Sequence, residues 1–310
     1  MIRSLRRILV VTAVLTFTWA AFAAPRARHV FIISIDGGNP AVMQRSPMPV
    51  LRKLTKEGAH TWQAQTIVPS LTLPSHSSML TGVRMDKHKI TWNSYLPTNG
   101  LVQAPTIFAA AHPAGLSTAM FVGKEKFRHL LLPGTVDVFN YDLAAEVAVT
   151  KSDSGGTTNM KKEGNVTARV VAEEAADYIV KHKPNLCFIH FPDPDGIGHK
   201  HGWGSPEQIK AFADTDAALG IIRKALRRGR IEKDSVILLS ADHGGHGRGH
   251  GQGTPEDMTI PWIAWGKGVN RHFEITVPVS TCDTAATALW LLDVQPLASL
   301  DGVPVFSAFE

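Results

Sequence analysis

The sequence predicts an α/β protein: a three-layer α/β/α sandwich built around a largely parallel central sheet. Three observations carry this. Continuous apolar runs of strand length recur along the chain, helical patterns lie between them, and several runs end in Gly-rich loops bearing Asp and His. Unbroken apolar runs suit strands buried on both faces. Their alternation with helices is the pattern of a sheet covered on both sides.

The first 24 residues, MIRSLRRILVVTAVLTFTWAAFAA, combine Arg3, Arg6 and Arg7 with an apolar stretch and the small-residue pattern Ala21-Phe22-Ala23. That is a secretory signal, with cleavage expected after Ala23 or Ala24. Its apolar run from Ile8 is shorter than the ~20 residues of a spanning helix, so no stable membrane span is expected after cleavage. HVFIISIDGG then reads as the first strand, ending in Asp36, and PVLRKLTKEG as a helix with an early Pro and a terminal Gly. Further strands are read at STAMFVG (117–123), NLCFIHF (185–191), SVILLS (235–240) and PWIAWG (261–266). NVTARVVAEEAADYIVKHKP puts Val166, Val170, Val171, Ala175, Tyr178 and Ile179 on one helical side and stops at Pro184. SPEQIKAFADTDAALGIIRKALRRG opens with a Ser-x-x-Gln cap and closes on basic residues and Gly. CDTAATALWLL is helix-like, and the polar stretch 150–164 reads as a loop. Too little chain flanks that loop for two cores, so residues 25–310 are read as a single domain.

Charge narrows the partners. The formal +5 includes three arginines of the signal, and its removal leaves 29 basic against 27 acidic residues. That balance is no electrostatic footprint for a nucleic-acid duplex. Cys187 and Cys282 are the two cysteines; in an exported chain they form either one disulfide or two buried thiols. Export with so few cysteines fits a bacterial periplasm. Nothing in the sequence speaks to oligomeric state.

In open α/β sheets, functional groups gather beyond the carboxyl ends of the strands. Asp36 follows the first run, PDPDGIGHKHGWG follows LCFIHF, and ADHGGHGRGHG follows SVILLS. Imidazoles and carboxylates are the usual ligands of zinc and related divalent ions, and glycines let the backbone turn so that ligands from separate loops converge. There are too many candidates for one tetrahedral ion, which implies two. A fourth segment, TIVPSLTLPSHSSMLTG, reads as a strand-like start leading through Pro69 to Thr72, with Pro74 opening a short helix. Thr72 is then either an N-cap or, beside a metal pair, a nucleophile at a helix N-terminus that favours an anion.

Four motifs, SIDGG, TLPSHSSMLTG with HKITWNSY, PDPDGIGHKHG, and ADHGGHGRGHGQGTPEDMTIPWIAWG, together resemble the alkaline phosphatase superfamily, specifically its nucleotide pyrophosphatase/phosphodiesterase-like branch. The resemblance spans most of residues 25–310 in the right order. It implies an alkaline-phosphatase-like fold and a metal-dependent phosphoric ester hydrolase acting through a phospho-threonine intermediate. It implies that Asp36, Asp242, His243 and Thr72 hold one divalent ion, with Thr72 as nucleophile. Asp195 and His199 would hold a second ion with His250, for which His246 is the alternative. Asn93 falls where the family keeps an Asn that donates to a phosphoryl oxygen. Zinc best fits the ligand set, and manganese, iron or cobalt fit the same groups.

Other residues in these motifs have plainer readings. Asp193 and His201 flank the ligands, His76 packs or caps, and Arg248 lies in a flexible loop within reach of a phosphate. The sulfatase branch, which uses a cysteine-derived nucleophile, is disfavoured by Thr72. The substrate is expected to be a small phosphate ester, with diester or pyrophosphate bonds favoured and monoesters or phosphonates as rivals. An exported phosphotransferase and a silent zinc-binding protein are the readings from other classes. Where nucleotide-cleaving relatives carry an aromatic residue after the nucleophile this chain has Leu73, and Leu71 and Ser75 replace their usual Lys and Asn. Tyr95, Trp92 and Trp203 remain as candidate stacking faces.

Overall fold

The computed structural model describes residues 26–141 and 166–310. The expected signal (1–24) and the polar loop (150–164) lie outside the described residues. The chain runs through β1 (His29–Ile35), α1 (Pro40–Arg45), α2 (Pro49–Glu57), β2 (Ala59–Gln65), α3 (Thr72–Thr81), α4 (Met85–His88), α5 (Ile107–Ala111), β3 (Thr118–Val122) and β4 (Val138–Asn140). It continues with α6 (Ala168–His182), β5 (Leu186–Phe191), α7 (Asp193–His201), α8 (Pro206–Arg228) and β6 (Ser235–Ser240). Last come α9 (Pro255–Met258), β7 (Thr259–Gly266), β8 (Phe273–Glu274) and α10 (Asp283–Leu292).

The strands form one eight-stranded sheet in the order β4-β3-β5-β1-β6-β7-β2-β8. β5 and β6 flank β1 in parallel, β3 and β4 extend that half, and β7 runs antiparallel to both its neighbours. Every residue of β1, β3, β5 and β6 is buried, which is why these strands read as unbroken apolar runs. Helices α1, α2, α6 and α7 gather around α8, while α3 and α5 pack with α10, which lies on β1. These two sets are the outer layers, and the sheet's Phe31, Phe188, Phe191 and Trp262 anchor the core between them.

Local signals set the helix ends. Ser205 Oγ accepts the Gln208 N–H at 3.2 Å, and the Gln208 side-chain Oε1 accepts the Gly204 N–H at 2.6 Å, a near capping box. α6 is capped by Thr167 and ends at Lys183 in the left-handed region, just before Pro184. One expectation is corrected here. The strand preceding the Thr72 segment is β2, which ends at Gln65, and residues 66–71 are the connection into α3. β2 alternates buried with half-exposed positions near the sheet edge, so it offers no apolar run to read. Among the described residues no helix is long and apolar enough to cross a membrane.

Candidate active site

The carboxyl ends of β1, β5 and β6 lie side by side, so the loops that follow them converge. Asp36 leaves β1 with its N–H bonded to the Phe191 carbonyl at 3.0 Å. Gly37 follows at φ +70°, and a Cβ there would meet the Asp195 Cα at 3.0 Å; only glycine lets the β1 loop lie this close to α7. Asp195 sits in the first turn of α7. The Asp242 Oδ1 after β6 accepts the Gly37 N–H at 3.2 Å. Asn39 ties the layers further, donating to the carbonyls of Gly245 and Glu256 at 3.2 Å each.

One group of side chains is wholly buried. The His243 Nε2 lies 3.2 Å from Asp242 Oδ2, 3.4 Å from Asp36 Oδ1 and 3.4 Å from Thr72 Oγ1. The His243 Nδ1 donates to the Gly244 carbonyl at 2.8 Å. A carbonyl can only accept, so the proton is on Nδ1 and Nε2 presents a lone pair. Asp36 Oδ1, Asp195 Oδ1 and Asp242 Oδ2 are buried without any hydrogen-bond partner. Such orphaned acceptors are costly, and a cation among them removes the cost.

A second group sits at the rim. The His199 and His250 Nε2 atoms are 3.1 Å apart, and they lie 3.3 and 3.5 Å from Asp195 Oδ1. Each ring again gives its Nδ1 proton to a backbone carbonyl, Arg248 for His199 and Ser70 for His250. Two sets of side chains thus have metal-ligating geometry, Asp195 with His199 and His250, and Asp36 with Asp195 and His243. Asp195 belongs to both, a sharing that its expected place beside His199 alone did not include. The His243 and His250 rings stack at 3.6 Å, so the two groups are contiguous.

The Gly-rich loop makes the return. His246 and Gly249 exchange backbone hydrogen bonds across a tight turn, with Gly247 at φ +54°. His246 itself points to Asp257 Oδ1 at 2.8 Å, with its side chain 43% exposed. The turn places His250, not His246, at the carboxylates.

Thr72 is the first residue of α3, which corrects its expected place ahead of a helix opened by Pro74; the N-cap is Leu71. The segment before it is clasped to the His250 loop, with Ser70 Oγ donating to the Gln252 carbonyl at 2.8 Å. His76 is buried and donates from Nδ1 to the Thr72 carbonyl at 2.7 Å, while its Nε2 accepts from Ser34 Oγ at 2.7 Å. The Leu73 N–H is not open to an anion, because it donates to Asn93 Oδ1 at 2.8 Å. With Oδ1 anchored, the Asn93 amide NH2 is the group of this side chain that can donate.

Residues 30–247 match the family model for type I phosphodiesterase / nucleotide pyrophosphatase. The chain belongs to this family. Among curated relatives, an uncharacterised pyrophosphatase/phosphodiesterase of Schizosaccharomyces pombe is 25% identical over 69% of this chain and 44% of its own length. Ectonucleotide pyrophosphatase/phosphodiesterase family member 7 of Mus musculus is 22% identical over 71% of this chain and 50% of its own. The chain therefore spans about half the length of these relatives. Among solved structures, murine ectonucleotide pyrophosphatase/phosphodiesterase 5, an inactive form in complex with AMP, superposes with a TM-score of 0.73 at 15% identity over 91% of this chain and all of that one. A 2-O glycosaminoglycan sulfatase superposes with a TM-score of 0.67 at 15% identity over 90% of this chain and 73% of that one. Both show the shared alkaline-phosphatase-like fold.

Two residues at the family site were missed by sequence reasoning. Lys124, directly beyond the STAMFVG run, sets its Nζ 2.7 Å from Asp36 Oδ2 and 2.6 Å from Asp195 Oδ2. The signal was present, since this is one more strand end, but the loop there lacks the Asp-His signature. His190, inside β5, donates from Nε2 to Asp36 Oδ2 at 2.8 Å and accepts the Gly123 N–H on Nδ1 at 3.3 Å. A lone His in a buried strand was the only sign of it.

The electrostatics follow. Burial opposes ionisation of Asp36, but Lys124 and His190 override it and hold its pKa well below the usual range. Burial and then the Asp36 charge push Asp242 well above it. Burial pulls Lys124 down, yet Asp195 and Asp36 keep it above its ordinary value. Burial and His250 lower His243 to about 4. Three buried carboxylates share one ammonium, so the pocket is short of positive charge and its donors fit divalent cations.

The remaining candidates take structural places. Asp193 Oδ2 accepts the Ala168 N–H at 2.6 Å and pins α6. His201 lies 3.8 Å from Glu207, and the Arg248 side chain is exposed. Trp203 donates to the Gly37 carbonyl at 3.2 Å and packs edge-on against His199 and His250. Trp92 and Tyr95 pack on His129, and Leu73 is fully buried. Cys187 and Cys282 are free buried thiols.

Proposed function

We propose that this chain is a metal-dependent phosphoric ester hydrolase that works through a phospho-threonine intermediate on Thr72, on small phosphate-ester substrates. The observation that carries the reading is the position of Thr72 Oγ1, 3.4 Å from His243 Nε2 and at the edge of a pocket holding three orphaned carboxylate oxygens. Asp36, Asp242, His243 and Thr72 would hold one ion, and Asp195, His199 and His250 the second. Zinc best suits these nitrogens and oxygens. When bound, such ions supply Lewis acidity and lower the pKa of a hydroxyl or water.

The protein's own residues do the rest. The Thr72 hydroxyl gives its proton to solvent as its oxygen attacks phosphorus; a P–O bond forms, and the alkoxide or phosphate opposite leaves. Water then attacks the same phosphorus, the Thr72 O–P bond breaks, the phosphate or phosphate monoester departs, and Thr72 regains a proton. Asn93, its Oδ1 fixed to the Leu73 N–H, offers its amide protons to an equatorial oxygen, and the Thr72 N–H offers another. His76 holds the Thr72 carbonyl and so fixes the nucleophile's backbone. Family membership supports phosphodiester and pyrophosphate chemistry, and the AMP complex of the murine structural neighbour favours nucleotide-like substrates. The leader sequence supports export, to a periplasm.

Initial rates on bis-(p-nitrophenyl) phosphate and p-nitrophenyl phosphate with zinc-loaded protein test the reading. Thr72→Ala is expected to lower the rate at least ~10³-fold with the fold retained. A Thr72→Ala protein as active as the parent would overturn it.

A further inference from the structure

We propose that Lys124 and Lys126 make this site selective for a phosphoryl group carrying two negative charges: a monoester, a phosphonate, or the terminal phosphate of a pyrophosphate. The inference rests on the hydrolase reading above and narrows its substrate class. Both lysines come from one short segment after β3, the 3-10 turn Glu125–Leu130 and the residue before it. They touch different parts of the site. Lys124 lies between Asp36 and Asp195, the two carboxylates whose other oxygens face the imidazoles. The Lys126 Nζ is 3.4 Å from Asn93 Oδ1, the atom that also accepts the N–H of the residue after Thr72.

Lys124 is 7% exposed, and its ammonium is held in place by Asp36 and Asp195 at 2.7 and 2.6 Å. Each lysine raises the charge of the site by one, whatever ions it holds. A fixed cation attracts a dianion with twice the Coulomb energy it gives a monoanion at the same place. A diester carries one negative charge at phosphorus, and a monoester at neutral pH carries up to two. The pair therefore discriminates by charge, where a stacking face would discriminate by base. The buried Leu73 and the packed Trp92 and Trp203 provide little of the latter.

The test compares p-nitrophenyl phosphate with methyl p-nitrophenyl phosphate, which share a leaving group and differ by one charge. Lys126→Gln is half-buried at the rim and is expected to fold; Lys124→Met is the stronger but riskier change. Each is expected to lower the monoester-to-diester ratio of kcat/KM on the order of 10-fold, while Lys126→Arg keeps the ratio. Binding of inorganic phosphate to the Thr72→Ala protein, measured by calorimetry, should weaken by a similar factor when Lys126→Gln is added. Thr72-dependent turnover with an unchanged ratio overturns the selectivity and leaves the hydrolase standing. Absence of Thr72-dependent turnover on either ester overturns both.

Discussion

The buried and the rim ligand groups are chemically alike and physically different. Asp36, Asp242, His243 and Thr72 are at most 1% exposed and are held by the ends of β1 and β6 and the start of α3. The His199 side chain is 46% exposed, and both rim imidazoles are oriented by loop carbonyls rather than by sheet. The difference teaches how one site divides its labour. The buried group is part of the core, so its charge is a burden on folding that a bound cation relieves. The rim group meets solvent through His199, while its His250 and Asp195 side chains are only 5% and 6% exposed.

The largest effect expected from this contrast is at Asp242. Its raised pKa means that the ionised carboxylate destabilises the metal-free fold at neutral pH. Asp242→Asn keeps an oxygen for the Gly37 N–H and removes the charge. It is expected to abolish most turnover yet raise the melting temperature of the metal-free protein by a few degrees, with a smaller further rise on adding zinc. A metal-free Asp242→Asn protein that melts lower than the parent would break the comparison.

A smaller effect separates the histidines. The Asp195 carboxylate, 3.3 Å from Nε2, raises the pKa of His199, whereas burial and His250 lower that of His243 to about 4. The signs oppose. The stabilisation from protonated His199 is present below the unfolded value and fades as pH rises through its folded value. That from neutral His243 is present above the unfolded value and is lost as pH falls towards about 4. Imidazole NMR of the metal-free protein is expected to show His199 titrating above ~6.5 and His243 neutral down to about 4. Protons would then displace an ion from the rim before the buried group. Coincident titration of the two rings would erase the distinction.

The sequence made the central half of this architecture legible because it is buried on both faces. β1, β5 and β6 are apolar throughout, so their ends, and the Asp and His beyond them, could be located. β2, β4 and β8 carry mixed or half-exposed residues, or are only two or three residues long, and gave no such signal. All the expected ligands converge, but their division did not follow from spacing: Asp195 lies between the groups because the β1 loop packs against α7 at Gly37. Lys124 and His190 left only weak signals for a related reason. Each acts on Asp36 across a strand boundary, from β3 and from within β5, and only the sheet order brings them there. His246 and His250 are equal in composition and were separated only by the turn and by Asp257.

The central claim, that the two groups hold separate ions, is tested most directly by calorimetric zinc titration of the metal-free protein beside its His199→Ala/His250→Ala and His246→Ala variants. The account predicts two zinc ions for the parent and for His246→Ala, and one for the double variant. A single ion in the parent, or two ions retained without His199 and His250, would contradict it.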